Sequence, residues 1–338
     1  MKYMICVLLT LLSFSLFAVI RTVDNNHPSA GQYTTIQAAI DAASNDDIIY
    51  VYPSNTAYAG FNVNKRLKIY GVGWQGTTVN IRRTMLSSQV QFQAGSEYSE
   101  LHGFANGFQV NMSGVVGNIQ LKNCSISFVN FQYSATSANA SNYSIINCYF
   151  NGTGNGFEWV GFQNAITGVL ISNCVFTGSA RLMGTATSNI TVLNSYINTS
   201  NSLFGIHGSN PNFRNNYIVS PGYTGTSTFP SDAVIAYNMS STALFPTGTT
   251  NQNNIPLSSV FNSLFHPLPG SPAINAGDPA SDFNDLDGSR NDIGVFGGPY
   301  PYDDNGYTTL PTITDISGTL YTSPSQGLQI HVEASSHH

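Results

Sequence analysis

The sequence predicts an all-β protein, a parallel β-helix in which the chain winds as a solenoid. Asparagine recurs about once per expected coil, apolar residues alternate on both sides of it, and runs of helix-forming residues are almost lacking over 105–255. The recurring residues are Asn123, Asn147, Asn173, Asn194 and Asn215. Their spacings of 24, 26, 21 and 21 residues are typical of solenoid repeats.

The apolar pattern changes phase at each asparagine. Inward positions fall four and two residues before it, and then one and three residues after it, as in IQLKNCSI and VLISNCVF. A straight strand keeps a single parity, so the chain must bend at the asparagine. Asparagine tolerates the left-handed conformation of such a corner, and stacked carboxamides can bond to one another from coil to coil. The pattern therefore predicts an asparagine ladder.

Two other architectures would also be repetitive. A helical solenoid needs helix formers at 3.6-residue spacing, whereas this region is rich in Asn, Thr, Ser, Gly, Tyr and Val. A β-sandwich remains open, but it gives no reason for asparagine at a fixed place in each unit. The parallel β-helix explains both observations.

The N-terminus has the pattern of a secretory signal peptide over residues 1–18. Lys2 precedes an apolar run at 4–19, and Ala18 is a suitable cleavage position. The alternative is an uncleaved membrane anchor, for which the run is short. Cleavage removes Cys6 and leaves Cys124, Cys148 and Cys174, which we expect to be buried, stacked small residues rather than a disulfide framework.

The segment 33–73 predicts a cap for the open end of the solenoid. In TIQAAIDAA, Ile36, Ala39, Ile40 and Ala43 share one helical face, and DIIYVYP and FNVNKRLKIYGVG supply short strands. SELHGFANGF at 99–108 is an earlier coil, in which Gly103 stands 20 residues before Asn123.

The cap, the asparagine pattern and a closing segment at 266–298 together resemble the pectin-lyase-like superfamily of secreted bacterial proteins. The closing segment contains SPAINAG, DLDGSR and DIGVFGG, with Asn275 where that family usually has Asp, and Phe296-Gly297 where it has Tyr-Glu. The resemblance implies a right-handed parallel β-helix with an N-terminal capping helix, which we place at residues 19–310. Two β-prone runs in the tail at 311–338 predict a C-terminal strand pair or the start of an appended module. The superfold supports many activities, so fold alone does not assign one.

Enzymes of that superfamily typically pair an Arg or Lys base with Ca²⁺, or use a group of Asp residues. The middle of this chain is poor in both, since Glu158 and Asp232 are its only acidic residues between 101 and 277. We predict no catalytic residue. Ligand-binding candidates are the outward-pointing or loop residues Lys122, Glu158, Trp159, Arg181 and Arg214. The competing interpretation of Trp159 and its neighbouring Phe residues is packing in the core or a loop.

Carboxylates gather instead in DFNDLDGSRND, which has the oxygen-rich, glycine-containing composition of a calcium loop. The candidate ligands of a structural Ca²⁺ are Asp282, Asp285, Asp287 and Asp292. The alternative is a calcium-free cap in which Arg290 pairs with one Asp and the other carboxylates bond turn amides.

The net charge of −6 argues against a nucleic-acid partner. The sequence predicts a secreted, extracellular or cell-surface protein, with no membrane span after signal cleavage, that binds polysaccharide or serves surface recognition without catalysis. The alternatives are a polysaccharide lyase or glycoside hydrolase acting on an extracellular, acidic polysaccharide, and a self-assembling structural or adhesive protein.

Overall fold

The structure is a computed structural model. It describes residues 18–27, 29–74, 83–113, 116–132, 141–151, 158–162, 167–177, 181–184, 190–198, 204–206, 211–219, 232–246, 249–302, 312–318 and 330–335. For 131–132, 158–162, 167, 181–184, 204–206, 312–318 and 330–335 only the backbone is considered. The predicted signal peptide lies outside the described residues, apart from Ala18.

The chain winds as a parallel β-solenoid, which confirms the predicted fold class. Its strands are β1 (Ile20–Val23), β2 (Ile48–Val51), β3 (Phe61–Val63), β4 (Lys68–Tyr70), β5 (Val90–Phe92), β6 (Glu100–His102), β7 (Phe108–Ser113), β8 (Gln120–Lys122), β9 (Ser125–Gln132), β10 (Ser141–Ile146), β11 (Tyr149–Phe150), β12 (Glu158–Phe162), β13 (Thr167–Ser172), β14 (Val175–Phe176), β15 (Arg181–Gly184), β16 (Ile190–Leu193), β17 (Tyr196–Asn198), β18 (Phe204–Ile206), β19 (Asn212–Arg214), β20 (Tyr217–Val219), β21 (Val234–Ala236) and β22 (Met239–Ser240).

Two parallel sheets form the walls of the solenoid. The first sheet runs β1-β2-β4-β6-β8-β10-β13-β16-β19-β21, with one strand from each coil. The second begins β3-β5-β7-β9 and then divides, because the start of β9 pairs with β11 and its later part pairs with β12. One arm continues through β14, β17, β20 and β22, and the other through β15 and β18.

The five predicted asparagines stand in one column at the corner between the two walls. Parallel register aligns the residues two positions before them, from Leu121 and Ile145 to Phe213. All five asparagines have φ between 45° and 59° and are buried. Gly103 occupies the same corner one coil earlier, at φ 76°, and Tyr237 one coil later, at φ 55°. We call Asn123, Asn147, Asn173, Asn194 and Asn215 the corner column.

The interior contains the apolar positions that the phase change predicts. The residues before and after each corner, such as Leu121, Cys124 and Ile126, are buried in one continuous core. Phe150 and Phe176 stack in adjacent coils with their ring centroids 4.5 Å apart. The three cysteines are free and buried, as expected. Burial raises the pKa of the Cys124 and Cys148 thiols well above the ordinary value.

The predicted cap is present as the helix α1 (Ile36–Ala42). The Thr35 hydroxyl accepts a hydrogen bond from the Ala38 amide at 3.2 Å and begins the helix. At the other end, Lys65 Nζ donates to the carbonyls of Ile40, Asp41 and Ala43 at 2.8–2.9 Å, where the helix dipole favours a cation. The buried face covers the end of the core.

The closing segment packs against the outside of the second wall, a position that the sequence pattern does not predict. The residue two places after the corner belongs to this outer apolar surface in five coils: Tyr149, Val175, Tyr196, Tyr217 and Met239. Ile293 and Val295 of the closing segment, with the flanking residues Val260, Phe261 and Tyr302, pack against this column and form a second hydrophobic cluster. Two 3₁₀ turns, Leu257–Ser259 and Ser281–Phe283, lie in the covering chain.

The closing segment also forms hydrogen bonds with the side-chain amides of the later corner asparagines. Asn173 Nδ2 donates to the carbonyls of Val295 and Gly297 at 2.9 and 2.7 Å. Asn215 Oδ1 accepts from the Asp278 amide at 2.7 Å. The expected bond between neighbouring corner carboxamides occurs from Asn215 to Asn194, at 3.5 Å. Backbone carbonyls of a distant segment are therefore the main partners of these amides.

Shorter carboxamide bonds between coils lie one residue further on, inside the core. Asn216 Nδ2 donates to Asn238 Oδ1 at 2.9 Å, and Asn238 Nδ2 donates to Asn251 Oδ1 at 3.0 Å. The Asn238 side chain also accepts from the Asn216 backbone amide at 3.0 Å. These residues occupy the position that cysteine holds in earlier coils. Buried amides are tolerated there because their polar atoms find partners in the next coil.

The tail contains two strands, β23 (Thr312–Gly318) and β24 (Ile330–Ser335), which pair antiparallel. Within the described residues, no helix has the length and apolar character needed to cross a membrane.

Candidate functional site

Aromatic side chains form a row on the outer face of the first sheet, near the N-terminal end. The register of β2, β4, β6 and β8 aligns Tyr50, Tyr70, His102 and Lys122 at the outward position just before the corner. The Tyr50 and Tyr70 ring centroids are 5.8 Å apart, and the His102 ring meets Tyr70 edge-on at 4.9 Å. Parallel pairing produces this row because it repeats one outward position in each coil.

A groove opens beside this row. Its volume is about 290 Å³, and its lining consists of Thr22, Tyr50, Val51, Tyr52, Tyr70, Gly71 and Val72. We call this the tyrosine groove. Tyr52 is 42% exposed at its edge, whereas Tyr50 and Tyr70 are half-buried and present part of their rings to solvent. The groove thus combines apolar ring surface with hydroxyl groups.

A charged network borders the groove on β4 and β6. Glu100 accepts a hydrogen bond from the Tyr70 hydroxyl at 3.0 Å and pairs with Lys68 Nζ at 3.0 Å. His102 Nε2 lies 3.1 Å from Gln120 Oε1 and 3.7 Å from Glu100 Oε2. The contacts fix the Tyr70 ring, because its hydroxyl is tied to a carboxylate that is itself paired.

Burial shifts the pKa values of two groups in this network, His102 and Tyr70. Burial lowers the pKa of His102 to about 4, opposed by the nearby Glu100 carboxylate. Burial and then the Glu100 charge raise the pKa of the Tyr70 hydroxyl. At neutral pH the imidazole of His102 and the phenol of Tyr70 are therefore uncharged, and Glu100 and Lys68 form an ion pair beside them.

The five sequence-predicted ligand residues do not form a single site. Lys122 stands in the aromatic row, while Arg214 occupies the same column four strands away, about 19 Å along the axis. Arg214 forms an ion pair with Asp278 of the closing segment, and its guanidinium lies 5.7 Å from the Phe283 ring centroid. It joins the closing segment to the coil.

Glu158 and Arg181 are brought together at the level of the backbone. They are register partners in the adjacent strands β12 and β15, and Trp159 lies at an irregularity of this ladder. These strands belong to the second wall, whereas Lys122 and Arg214 belong to the first. The side chains of Glu158, Trp159 and Arg181 lie outside the described residues.

The predicted calcium residues bond to their own turns. Asp285 accepts from the amides of Asp292 and Gly298, at 3.2 and 2.5 Å, and Asp287 accepts from Ser289 at 2.6 Å. Asp292 accepts from the Asn275 amide at 2.6 Å, and Asp282 lies in the exposed 3₁₀ turn. Burial raises the pKa of Asp285 and of Asp292, and hydrogen bonds from Ser289 lower the pKa of Asp287.

No group of three His, Cys, Asp or Glu side chains is placed to hold a metal ion in the part of the chain that the structure describes. The bonding follows the calcium-free alternative in one respect, since carboxylates bond turn amides. The arginine differs from that alternative, because Arg290 donates to the Gly277 carbonyl at 2.8 Å, whereas Arg214 pairs with Asp278 of the closing segment. Calcium binding stays an untested prediction.

Tyr50, Tyr70 and His102 were not predicted, because the repeats were aligned on asparagine and the earlier coils have no asparagine at the corner. A signal was present in earlier coils, where IIYVY, LKIYG and SELHG each place an aromatic or imidazole ring before the corner. Extending the alignment through Gly103 to Gly71 and Val51 would have put Tyr50, Tyr70 and His102 in one column.

Fold and site together define a parallel β-solenoid with an aromatic groove on its outer face. Comparison of the chain with protein-family models, with curated proteins and with solved structures gives no match.

Proposed function

We propose that this protein is a secreted β-helix protein of the pectin-lyase-like type, which binds a glycan at its surface without cleaving it. The observation that supports binding is the pair Tyr50 and Tyr70, held 5.8 Å apart along a groove of about 290 Å³. Aromatic rings give apolar surface at low entropic cost, and sugar rings have apolar faces that pack on such surfaces.

The neighbouring polar groups support a hydroxyl-rich ligand. Tyr52 and Tyr70 provide hydroxyls, Thr22 lines the same groove, and the Glu100–Lys68 pair lies at its border. The strand spacing of about 4.8 Å repeats these groups along the solenoid axis, which suits a polymer lying across several coils. A neutral polysaccharide fits better than an anionic one, since Lys68 is paired with Glu100.

One observation favours the enzymatic alternative. The register of β12 and β15 sets Glu158 opposite Arg181, an acid and a base on adjacent coils of the second wall. Lyase chemistry needs a cation near the substrate carboxylate and a base, and hydrolysis needs two carboxyl groups. This second candidate function would place the reaction on a different wall from the groove. Substitutions in the groove and on the second wall therefore distinguish binding from cleavage.

The test is a binding survey with the chain 19–338 against neutral and acidic polysaccharides. Isothermal titration should detect a neutral glycan, and Tyr50→Ala and Tyr52→Ala should each weaken it about tenfold. Tyr300→Ala is the matched control, since Tyr300 is 51% exposed and does not line the groove.

Products decide between binding and cleavage. Incubation with the same panel, with and without Ca²⁺, should release neither reducing ends nor unsaturated uronates. Product formation that Glu158→Gln abolishes would establish the enzyme instead. Equal affinities of Tyr50→Ala, Tyr52→Ala and the unchanged chain would remove the groove as the binding site.

A further inference from the structure

The backbone amide of Val19 is bonded to a buried carboxylate at the start of the fold. Val19 N donates to Asp47 Oδ1 at 2.9 Å, and the Val19 carbonyl accepts from the Ile48 amide at 3.0 Å. Asp47 is 2% exposed. Its other oxygen, Oδ2, accepts from Arg21 Nε at 3.1 Å and from the Ser44 amide at 2.9 Å. Oδ1 of Asp47 therefore binds the start of the chain at Val19, and Oδ2 binds Arg21 and Ser44.

Val19 lies directly before the first strand of the solenoid. From Val19 onward it is tied to β2, because Ile20 to Val23 pair in parallel with Ile48 to Val51. Ala18 is exposed, and Val19 itself is 49% exposed. The Ala18–Val19 peptide bond thus joins two exposed residues directly before β1. Lys2, the apolar run and the small residue Ala18 follow the pattern of a signal peptide, whereas Leu16 departs from the small residue usual three positions before the cleaved bond.

We propose that, after cleavage of the Ala18–Val19 bond, which rests on the secretion proposed above, the new α-ammonium group of Val19 forms an ion pair with Asp47. Hydrolysis adds one water: the Ala18 carbonyl becomes a carboxylate, and the Val19 amide nitrogen becomes an ammonium. The nitrogen is already within hydrogen-bond distance of Oδ1, so the pair forms without movement of β1. A neutral amide donor is replaced by a charged one, which bonds a carboxylate about twice as strongly.

The surrounding charges permit this pair. Arg21 binds Oδ2 of the same carboxylate, and its remaining nitrogen donates to the Tyr33 hydroxyl at 3.0 Å. Burial by itself raises the pKa of Asp47, but the hydrogen bonds from Ser44, Val19 and Arg21 lower it below the ordinary value. Asp47 is therefore ionised at neutral pH and available to an ammonium group. Processing would then strengthen the attachment of β1 to the cap.

The experiment compares two chains that differ by one residue. One begins at Val19 and the other at Ala18, and both keep the hydrogen bond from Val19 N to Asp47. We expect the α-amino pKa, measured by the pH dependence of amine labelling, to be about one unit higher in the Val19 chain than the ordinary value near 7.7–8.0. In the Ala18 chain it should stay ordinary, since the ammonium is one residue further out.

Two further measurements make the result decisive. Asp47→Asn in the Val19 chain should return the α-amino pKa to its ordinary value, and if that variant does not fold, the comparison of the two start sites still stands. Mass spectrometry of the protein exported from the full-length chain should give Val19 as the first residue. A different first residue, or the same α-amino pKa in both chains, would overturn the proposal.

Discussion

The carboxamides of Asn194 and Asn291 bond to each other across the corner of the solenoid. Asn194 Nδ2 lies 2.9 Å from Asn291 Oδ1, and Asn291 Nδ2 lies 3.3 Å from Asn194 Oδ1. Asn194 Nδ2 also reaches the Asp292 carbonyl at 2.9 Å. The corner column therefore joins the coils to the closing segment as well as turning the chain. Four predictions concern this arrangement, the cysteine column and the outer face.

Removal of the Asn173 side chain should destabilise the protein. Asn173→Gly keeps the left-handed corner, at φ 52°, but leaves the carbonyls of Val295 and Gly297 without their donor. We expect a loss of about 2–3 kcal/mol in the free energy of unfolding, measured by urea denaturation. Asn147→Gly is the control, because Asn147 Oδ1 has no hydrogen-bond partner in the described chain. Equal losses of unfolding free energy in both variants would contradict a stabilising role for the hydrogen bonds from Asn173 to the closing segment.

The ion pair between Arg214 and Asp278 should stabilise the folded protein, because it neutralises a buried carboxylate. Asp278 is 5% exposed, so Arg214→Met leaves an uncompensated charge and should cost about 2–3 kcal/mol. The double variant Arg214→Met, Asp278→Asn should recover part of this loss. Denaturation of the single and double variants gives the coupling energy, and a coupling near zero would mean that the pair is incidental.

His102 should make stability depend on pH between about 4 and 6.5. Its pKa in the folded chain is about 4, below the ordinary 6.5, so the unfolded chain takes up the proton first as the pH falls. The contribution of His102 to the free energy of unfolding is fully present above pH 6.5. It falls by up to about 3 kcal/mol toward pH 4.

The groups that face the imidazole are Glu100, Lys122, Lys68 and Gln120. His102→Gln should remove this component, seen as the difference between the two denaturation profiles over pH. Parallel profiles would show that His102 is not the group responsible.

The three core thiols should not react in the folded protein. Cys124, Cys148 and Cys174 are buried, and burial raises the pKa of the first two, so the thiolate is scarce. In the chain beginning at Val19, a thiol reagent at pH 8 should label no cysteine before denaturation and three afterwards. Rapid labelling of the folded chain would contradict the placement of this column in the core.

The repeat predicted much of the architecture because the bend in each coil depends only on residues that are close in sequence. The phase change at Asn123 or Asn173 follows from strand parity and from the left-handed conformation that asparagine tolerates, and both act within a few residues. The cap helix followed in the same way from the spacing of Ile36, Ala39 and Ile40. Lys122 and Arg214 each stand one residue before a corner asparagine, so the repeat accounts for their shared outward column, but the pairing of Arg214 with Asp278 was not predictable.

The sequence by itself determined the winding of the chain, its corners and its inner faces, because neighbouring residues and a repeat of fixed length decide them. Tertiary structure alone decided that residues 255–302 cover the outer apolar column, that Asn194 meets Asn291, and that Tyr50 and Tyr70 form a groove. These contacts join residues whose separation in the chain follows no period. Their energies depend on which surfaces remain after the coils have stacked, and a local pattern does not contain that information.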